Sequence, residues 1–294
     1  MQKKLLHSLP IFLTASILLW GCASGKSGKI PDVSMLSVLD QDSSLYVAVP
    51  VRYHREFVSS LISTNTGLAS NTASTIAGRI ENLYLGIGCP EDSGRIQIAA
   101  DGSFPSFAVG MALNKKNGWT KKTYTAESTP EALDAGWPNK FPYYTGSSFP
   151  YKVSFPTQKE MVVAKKIGTM LENYASRPDS TLLDYCAFVN LDGNPTRDIL
   201  FYAGDPSRFA AGLISEMAAT WFVSADGKIS RLQSGDYSLS ARLHFADKNR
   251  KKVVVALMSL AGIQVKDADE TAVFVSNIKV SKKQIESLVT VKGF

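Results

Sequence analysis

Few side chains in this 294-residue chain are placed to carry chemistry, and the first is a cysteine. Cys22 follows a short positive start, Met1-Gln2-Lys3-Lys4, and an apolar stretch from Leu5 to Trp20. Small residues frame it in Gly21-Cys22-Ala23-Ser24-Gly25. This is the tripartite layout of a secretory signal, with a thiol at its boundary. The apolar stretch is shorter than the ~20 residues of a membrane-spanning helix, and Pro10 weakens it as a helix. Cys89, in Gly86-Ile87-Gly88-Cys89-Pro90, and Cys186, in an apolar run, are the other two thiols. They allow one disulfide in an oxidising compartment or two buried free thiols. They form no CxxC pair.

The remaining chemistry is mostly excluded. His54 lies in the Pro50–Arg55 turn and His244 on the polar side of an alternating run, so both are expected to face solvent. No HxxxH, HExxH or Cys/His cluster is present, and no metal site is expected. There is no G-x-S-x-G elbow, Walker loop or complete GxGxxG; Pro90 and Glu91 break the one partial match. Asn190-Leu191-Asp192-Gly193-Asn194 lacks the spaced oxygens and closing Glu of a calcium loop. Asp101-Gly102 and Asp226-Gly227 read as turns. The carboxylate pairs Glu91/Asp92 and Asp269/Glu270 sit in loop-like stretches, without the perturbed surroundings that acid–base catalysis needs. The expectation is a protein without catalytic residues or cofactor.

Leu19-Trp20-Gly21-Cys22 resembles the bacterial lipobox, with Trp20 in place of the usual small residue, a relaxation familiar from spirochaetes. The resemblance implies cleavage before Cys22 and acylation there by palmitate-type chains, with residues 1–21 as signal peptide. More than one chain gives stable anchoring where a single chain is marginal. Residues 22–31, rich in Gly, Ser and Lys, read as a flexible tether. The net charge is +6, with lysines spread in pairs and no block of five or six like charges, so nucleic acid is excluded as a partner.

The elements beyond the tether read as a duplication. Leu45-Tyr46-Val47-Ala48-Val49 and a helix through Arg55–Ile62 match Ile199-Leu200-Phe201-Tyr202-Ala203 and a helix through Ser207–Ile214. Two strands and a helix follow in each: Glu81–Gly88, Arg95–Ala100 and Phe104–Asn114, against Thr220–Ala225, Tyr237–Phe245 and Lys251–Ala261. Met161-Val162-Val163-Ala164-Lys165-Lys166 then matches Ile278-Lys279-Val280-Ser281-Lys282-Lys283. The expected fold is α+β: two repeated β-α-β-β-α units, residues 32–178 and 179–294, with mainly antiparallel sheets covered by amphipathic helices. An aromatic and proline-rich insertion, 119–150, lengthens the first unit. Its Trp137, Phe141, Tyr143, Tyr144 and Phe149 are candidates for contact with a membrane or ligand, since such rings suit the headgroup level.

Apolar stripes run along several helices: Ile167/Met170/Leu171/Tyr174 opposite Lys166/Glu172/Asn173, Phe209/Leu213/Ile214/Met217, and Ile285/Leu288/Val289 opposite Lys282/Lys283/Glu286. Such stripes cover sheets or lie in a membrane interface. On the lipobox-like run, the length and these stripes, the chain resembles the treponemal outer-membrane-associated lipoproteins. That resemblance implies a lipid anchor, a mixed α/β fold, and amphipathic helices concerned with bilayer insertion and permeability. The expected function is a non-catalytic envelope lipoprotein, held to membrane lipid through Cys22 on the periplasmic side of the outer membrane. The alternative is a periplasmic module holding a hydrophobic ligand or protein partner between its halves.

Overall fold

Leu45–Pro50 (β1) alternates with both faces covered: Val47 and Val49 pack to one side, Tyr46 and Ala48 to the other. A strand buried on both faces belongs in the middle of a sheet. In the computed structural model β1 is near the centre of one 12-stranded antiparallel sheet. The structure describes residues 35–41, 43–66, 69–88, 96–127, 138–147, 149–176, 197–204, 221–260, 262–282 and 284–285. The signal, the tether, Cys22, Cys89, Cys186, Trp137, the Asn190–Asn194 run and the Phe209–Met217 stripe lie outside them.

The other strands are Ile80–Ile87 (β2), Ile96–Gly102 (β3), Trp119–Thr125 (β4), Lys140–Gly146 (β5), Lys152–Ser154 (β6), Glu160–Ala164 (β7), Ile199–Ala203 (β8), Phe222–Arg231 (β9), Tyr237–Phe245 (β10), Val265–Asp267 (β11) and Ala272–Val280 (β12). Their order is β11-β12-β10-β9-β8-β1-β2-β3-β7-β6-β5-β4. Five α-helices are described: Val51–Thr66 (α1), Ser70–Ala77 (α2), Ser106–Ala112 (α3), Ile167–Ser176 (α4) and Lys248–Leu260 (α5). The expected α+β class with an antiparallel sheet is what the chain adopts. β1-β2-β3 runs outward on one side of the β1–β8 pair and β8-β9-β10 on the other. β3 and β10 are each followed by a helix, α3 and α5, and each gains a later partner, β7 and β12. All described residues fall within a single compact unit, 33–294.

Side-chain alternation sends one set of residues to each face. On one, α1 and α2 pack Phe57, Val58, Leu61 and Ala77 against Val47, Val49, Leu83 and Leu85. On the other, Ile167, Met170, Leu171 and Tyr174 of α4 are buried with Leu36, Val38 and Leu39. That stripe therefore covers the sheet. Its opposite side is also used: Glu172 accepts from the Tyr124 hydroxyl at 2.7 Å and from the backbone N–H of Glu127 at 2.9 Å. The bond to Glu172 pushes the Tyr124 phenol up to about 12.

The aromatic insertion is the outer edge of the sheet. β4 and β5 pair from Trp119↔Gly146 to Thr125↔Lys140, and β6 joins β5 to β7. The edge strand β4 presents exposed Lys121 and Lys122, charges that discourage further strand pairing.

Two expected turns are corrected. Asp101-Gly102 ends β3 and Asp226-Gly227 lies inside β9. Asp101 accepts from the Asn82 backbone N–H and side-chain amide at 3.0 Å, where the register shifts between Ile80 and Asn82. Gly227 stands opposite Ala241, where a Cβ would fall 2.2 Å from the Ser240 carbonyl oxygen. Glycine here serves close backbone approach within a strand.

Candidate membrane-contact surface

Seven large apolar side chains are exposed among the described residues, and five of them sit on two helices. α3 carries no charge in its sequence SFAVGMA. Val109 turns inward to the core, while Phe107 and Met111, one turn apart, are 79% and 60% exposed. The Asn114 and Asn117 side-chain amides donate to the Met111 carbonyl at 2.6 and 3.1 Å, satisfying an end the helix cannot satisfy itself. Exposed Lys115 and Lys116 follow in a short 3-10 turn.

α5 has the same plan at greater length. Asp247 begins it, accepting from the backbone N–H groups of Asn249 and Arg250 at 2.9 Å. It ends in a Schellman arrangement: Ile263 N–H donates to Met258 O at 2.9 Å, Gly262 N–H to Ser259 O at 3.0 Å, and Gly262 has φ 74°. Val254, Val255 and Met258 pack inward. Val253, Leu257 and Leu260, at i, i+4 and i+7, form an outward ridge exposed by 48%, 54% and 86%. The basic residues Lys248, Arg250 and Lys252 cluster at the N-terminal end. The buried Lys251 reaches Asp267 at 3.0 Å and the Asp269 carbonyl, clamping the helix to the β11–β12 hairpin.

Both ridges belong to one face of the sheet. Tyr237, Ala241 and Phe245 alternate onto the same side of β10; Tyr237 joins the core that holds Val109, and Ala241 and Phe245 the core that holds Val254. An apolar ridge bordered by cations is what an interfacial helix presents to a bilayer. No described helix is long and apolar enough to cross a membrane.

The aromatic candidates are placed differently. Phe141 is a core residue, its ring edge-on to Tyr174 at 5.5 Å. Tyr144 is buried beside Phe155 at 6.4 Å. Tyr143 and Phe149 are half-buried, Phe149 between Trp119 at 5.8 Å and Tyr151 at 5.6 Å. Structural packing thus accounts for Phe141 and Tyr144. The sequence pattern alone assigns α3 and α5 no outward role, because covering a sheet is the ordinary use of such a helix. The available signal was apolarity on both sides of one helix, plainest in Val253–Met258.

His54 also differs from expectation. It is buried, at a non-helical kink inside α1 (φ −124°, ψ 25°), stacked 6.0 Å from Tyr237. Nε2 lies 2.7 Å from the Arg197 carbonyl, which only accepts, so Nε2 carries the proton and the buried Nδ1 has no partner. Burial holds its pKa below the ordinary 6.5, with Arg231 adding to the effect, against opposing contributions from the Arg197 bond and Asp198. The unfolded chain therefore takes up the proton first. His54 contributes full stability above about pH 6.5, and that contribution falls as pH drops below it, at most by about 1.4 kcal/mol per pH unit for one proton. Urea unfolding from pH 8 to 5 should show this loss, with a flatter profile in His54→Gln; an unchanged profile in the variant would contradict it.

No group of three or more His, Cys, Asp or Glu side chains suited to a metal occurs among the described residues. At the middle of the sheet, β1 and β8 pair directly from Leu45↔Ala203 to Ala48↔Leu200.

Comparison with known proteins bears on this surface. A family model described as outer membrane-associated lipoprotein TP0453 matches residues 31–286. Among solved structures, crystal form I of TP0453 is similar with a TM-score of 0.66 at 13% identity, covering 88% of this chain and 97% of that one. Crystal form IV is similar with a TM-score of 0.63 at 13% identity, covering 90% and 99%. At that identity the likeness is one of fold. No match was found among curated proteins.

Proposed function

We propose a membrane-associating role because the chain belongs to the family of outer membrane-associated lipoprotein TP0453. Its place is the outer membrane of the cell envelope. Residues 1–21 act as signal peptide, and Cys22 carries the palmitate-type chains that hold the protein on the periplasmic side. The folded part adds contact of its own, without catalysis. The observation that carries this reading is the pair of exposed apolar ridges, Phe107/Met111 and Val253/Leu257/Leu260, on one face of the sheet. Lys115, Lys116 and Lys252 stand beside them, each worth about 1 kcal/mol against anionic lipid near the surface, while Arg250 is paired with Asp247 at 3.3 Å. The matching strand order on either side of the β1–β8 pair supports a duplicated unit, with α3 and α5 as equivalent helices.

Vesicle flotation of the acylated protein and of Cys22→Ala tests this reading. Cys22→Ala should lose the mass and mobility change of acylation, float poorly with neutral vesicles, and still float with anionic ones. Failure of that variant to bind any vesicle, anionic ones included, would remove membrane contact by the fold and favour a module that holds a hydrophobic ligand or protein partner.

A further inference from the structure

A polar groove of about 580 Å³ runs between α1 and α2 and is closed at one side by the end of β9. Three guanidiniums line it, Arg52 and Arg55 from α1 and Arg231 from β9, with one carboxylate, Glu56. Two positive charges are therefore in excess. Most of the remaining lining is hydroxyl-bearing, including Ser59, Ser60 and Ser70. Arg55, Glu56 and Ser59 recur at helical spacing beyond the His54 kink, and Arg52 stands before it, so α1 supplies much of the wall.

All three cationic heads are held in place. The Arg55 Nη2 donates to the Ser74 carbonyl at 3.0 Å, tying α1 to α2. The Arg231 Nη2 meets Glu56 Oε2 at 3.1 Å, across the two halves of the sheet. Arg52 lies over the Tyr53 ring at 4.5 Å, and its Nη2 donates to the Tyr53 hydroxyl. A guanidinium has five donors, and these contacts use only part of each set. α2 begins at Ser70, on the groove wall, and its preceding residue Ala69 provides no side-chain cap. The Asn71 side chain accepts from the Thr72 N–H at 2.8 Å, and the helix start adds partial positive charge at the same place.

From this geometry we propose that the α1–α2 groove binds a phosphate monoester. The group carries about 1.5 to 2 negative charges, matching the excess of two, and its oxygens suit forked guanidinium donors. The serines supply further hydrogen bonds to the ester or to hydroxyls of the attached group. A soluble phosphoester and a lipid headgroup share this chemistry.

Titration calorimetry of the full chain at low salt, with glycerol 3-phosphate, inorganic phosphate and uncharged glycerol, tests the site. Saturable binding of at least one phosphate probe and none of glycerol is expected. Binding should weaken at least tenfold in Arg52→Gln/Arg231→Gln, and less in Arg231→Lys, which keeps charge but loses the fork. Thermal unfolding of each variant reports whether the fold is kept. In a second arm, phosphatidylcholine vesicles carry equal fractions of phosphatidic acid, a monoester, or phosphatidylglycerol, a diester. A preference for phosphatidic acid that disappears in the double variant, yet survives Leu257→Gln/Leu260→Gln, identifies the lipid source; soluble binding without it identifies the free source. Absence of both, or binding unchanged in the double variant, would overturn the proposal.

Discussion

Replacing Phe107, Met111, Val253, Leu257 and Leu260 together with glutamine should abolish flotation of the Cys22→Ala protein with anionic vesicles. All five side chains are exposed, from 48% at Val253 to 86% at Leu260, so their removal should lower the unfolding midpoint only modestly. Complete burial of such a side chain contributes about 1.5–3 kcal/mol. An interfacial helix buries its ridge partly, and about 1 kcal/mol each is a fair share of that range. Five residues then amount to roughly 5 kcal/mol, more than a thousandfold in partitioning. Glutamine keeps helix propensity close to that of leucine and methionine, which separates loss of the ridge from loss of the helix. Flotation equal to that of the parent would show that these ridges make no contact with lipid.

Phe141→Ala should destabilise the fold by about 3–5 kcal/mol, the range for a buried phenylalanine cut to alanine. The ring is buried between the sheet and α4 and meets Tyr174 edge-on at 85°. Alanine leaves a cavity at the centre of that contact and removes the aromatic pair. Phe107→Ala, on an exposed ring, should change stability by no more than about 0.5 kcal/mol. Urea denaturation of the two variants side by side measures the contrast. Similar small changes in both would contradict the placement of the 140–146 strand in the core.

Much of the framework is legible because its strands are short continuous apolar runs, or alternate as Tyr237–Phe245 does. Leu45–Val49, Ile199–Ala203 and Tyr237–Phe245 were read as strands, and the structure has strands there. The insertion was harder to read. In Lys140–Gly146 apolar or aromatic residues fall on both sides of the strand, so no polar face marks the period, and Pro142 adds a signal against strand. Pairing with β4 and β6 overrides that local signal. Asp101 and Asp226 are turn-forming types, yet each serves a strand neighbour: Asp101 binds Asn82, and Asp226 pairs with Arg242 at 3.1 Å. His54 was misplaced because a histidine after Pro50 suggests a turn. Its burial depends on Arg197 and Tyr237, both far along the chain.

The candidate surface was only half legible. The helices at 104–114 and 251–261 were expected, but which of their sides would face outward depends on the depth of the groove each one fills. On α4 the apolar stripe faces the sheet, and Glu172 on the opposite side is tied to Tyr124. On α3 and α5 one apolar side suffices for the core and a second remains outside. A periodicity argument finds the stripe that fits a core; it does not distinguish a helix with two. The groove between α1 and α2 was not legible at all, because Arg231 reaches Glu56 only through the sheet order.

The claim that the fold itself touches lipid is tested most directly by photo-crosslinking. A benzophenone side chain placed at position 107 or 257 of the Cys22→Ala protein is irradiated with anionic vesicles, and lipid adducts are read by mass spectrometry. Positions 121 and 143, on the β4–β5 edge, serve as comparison. Adducts at 107 and 257, with few at 121 and 143, are the expected result. Adducts at 143 with none at 107 or 257 would contradict it and move the contact to the aromatic edge of the sheet.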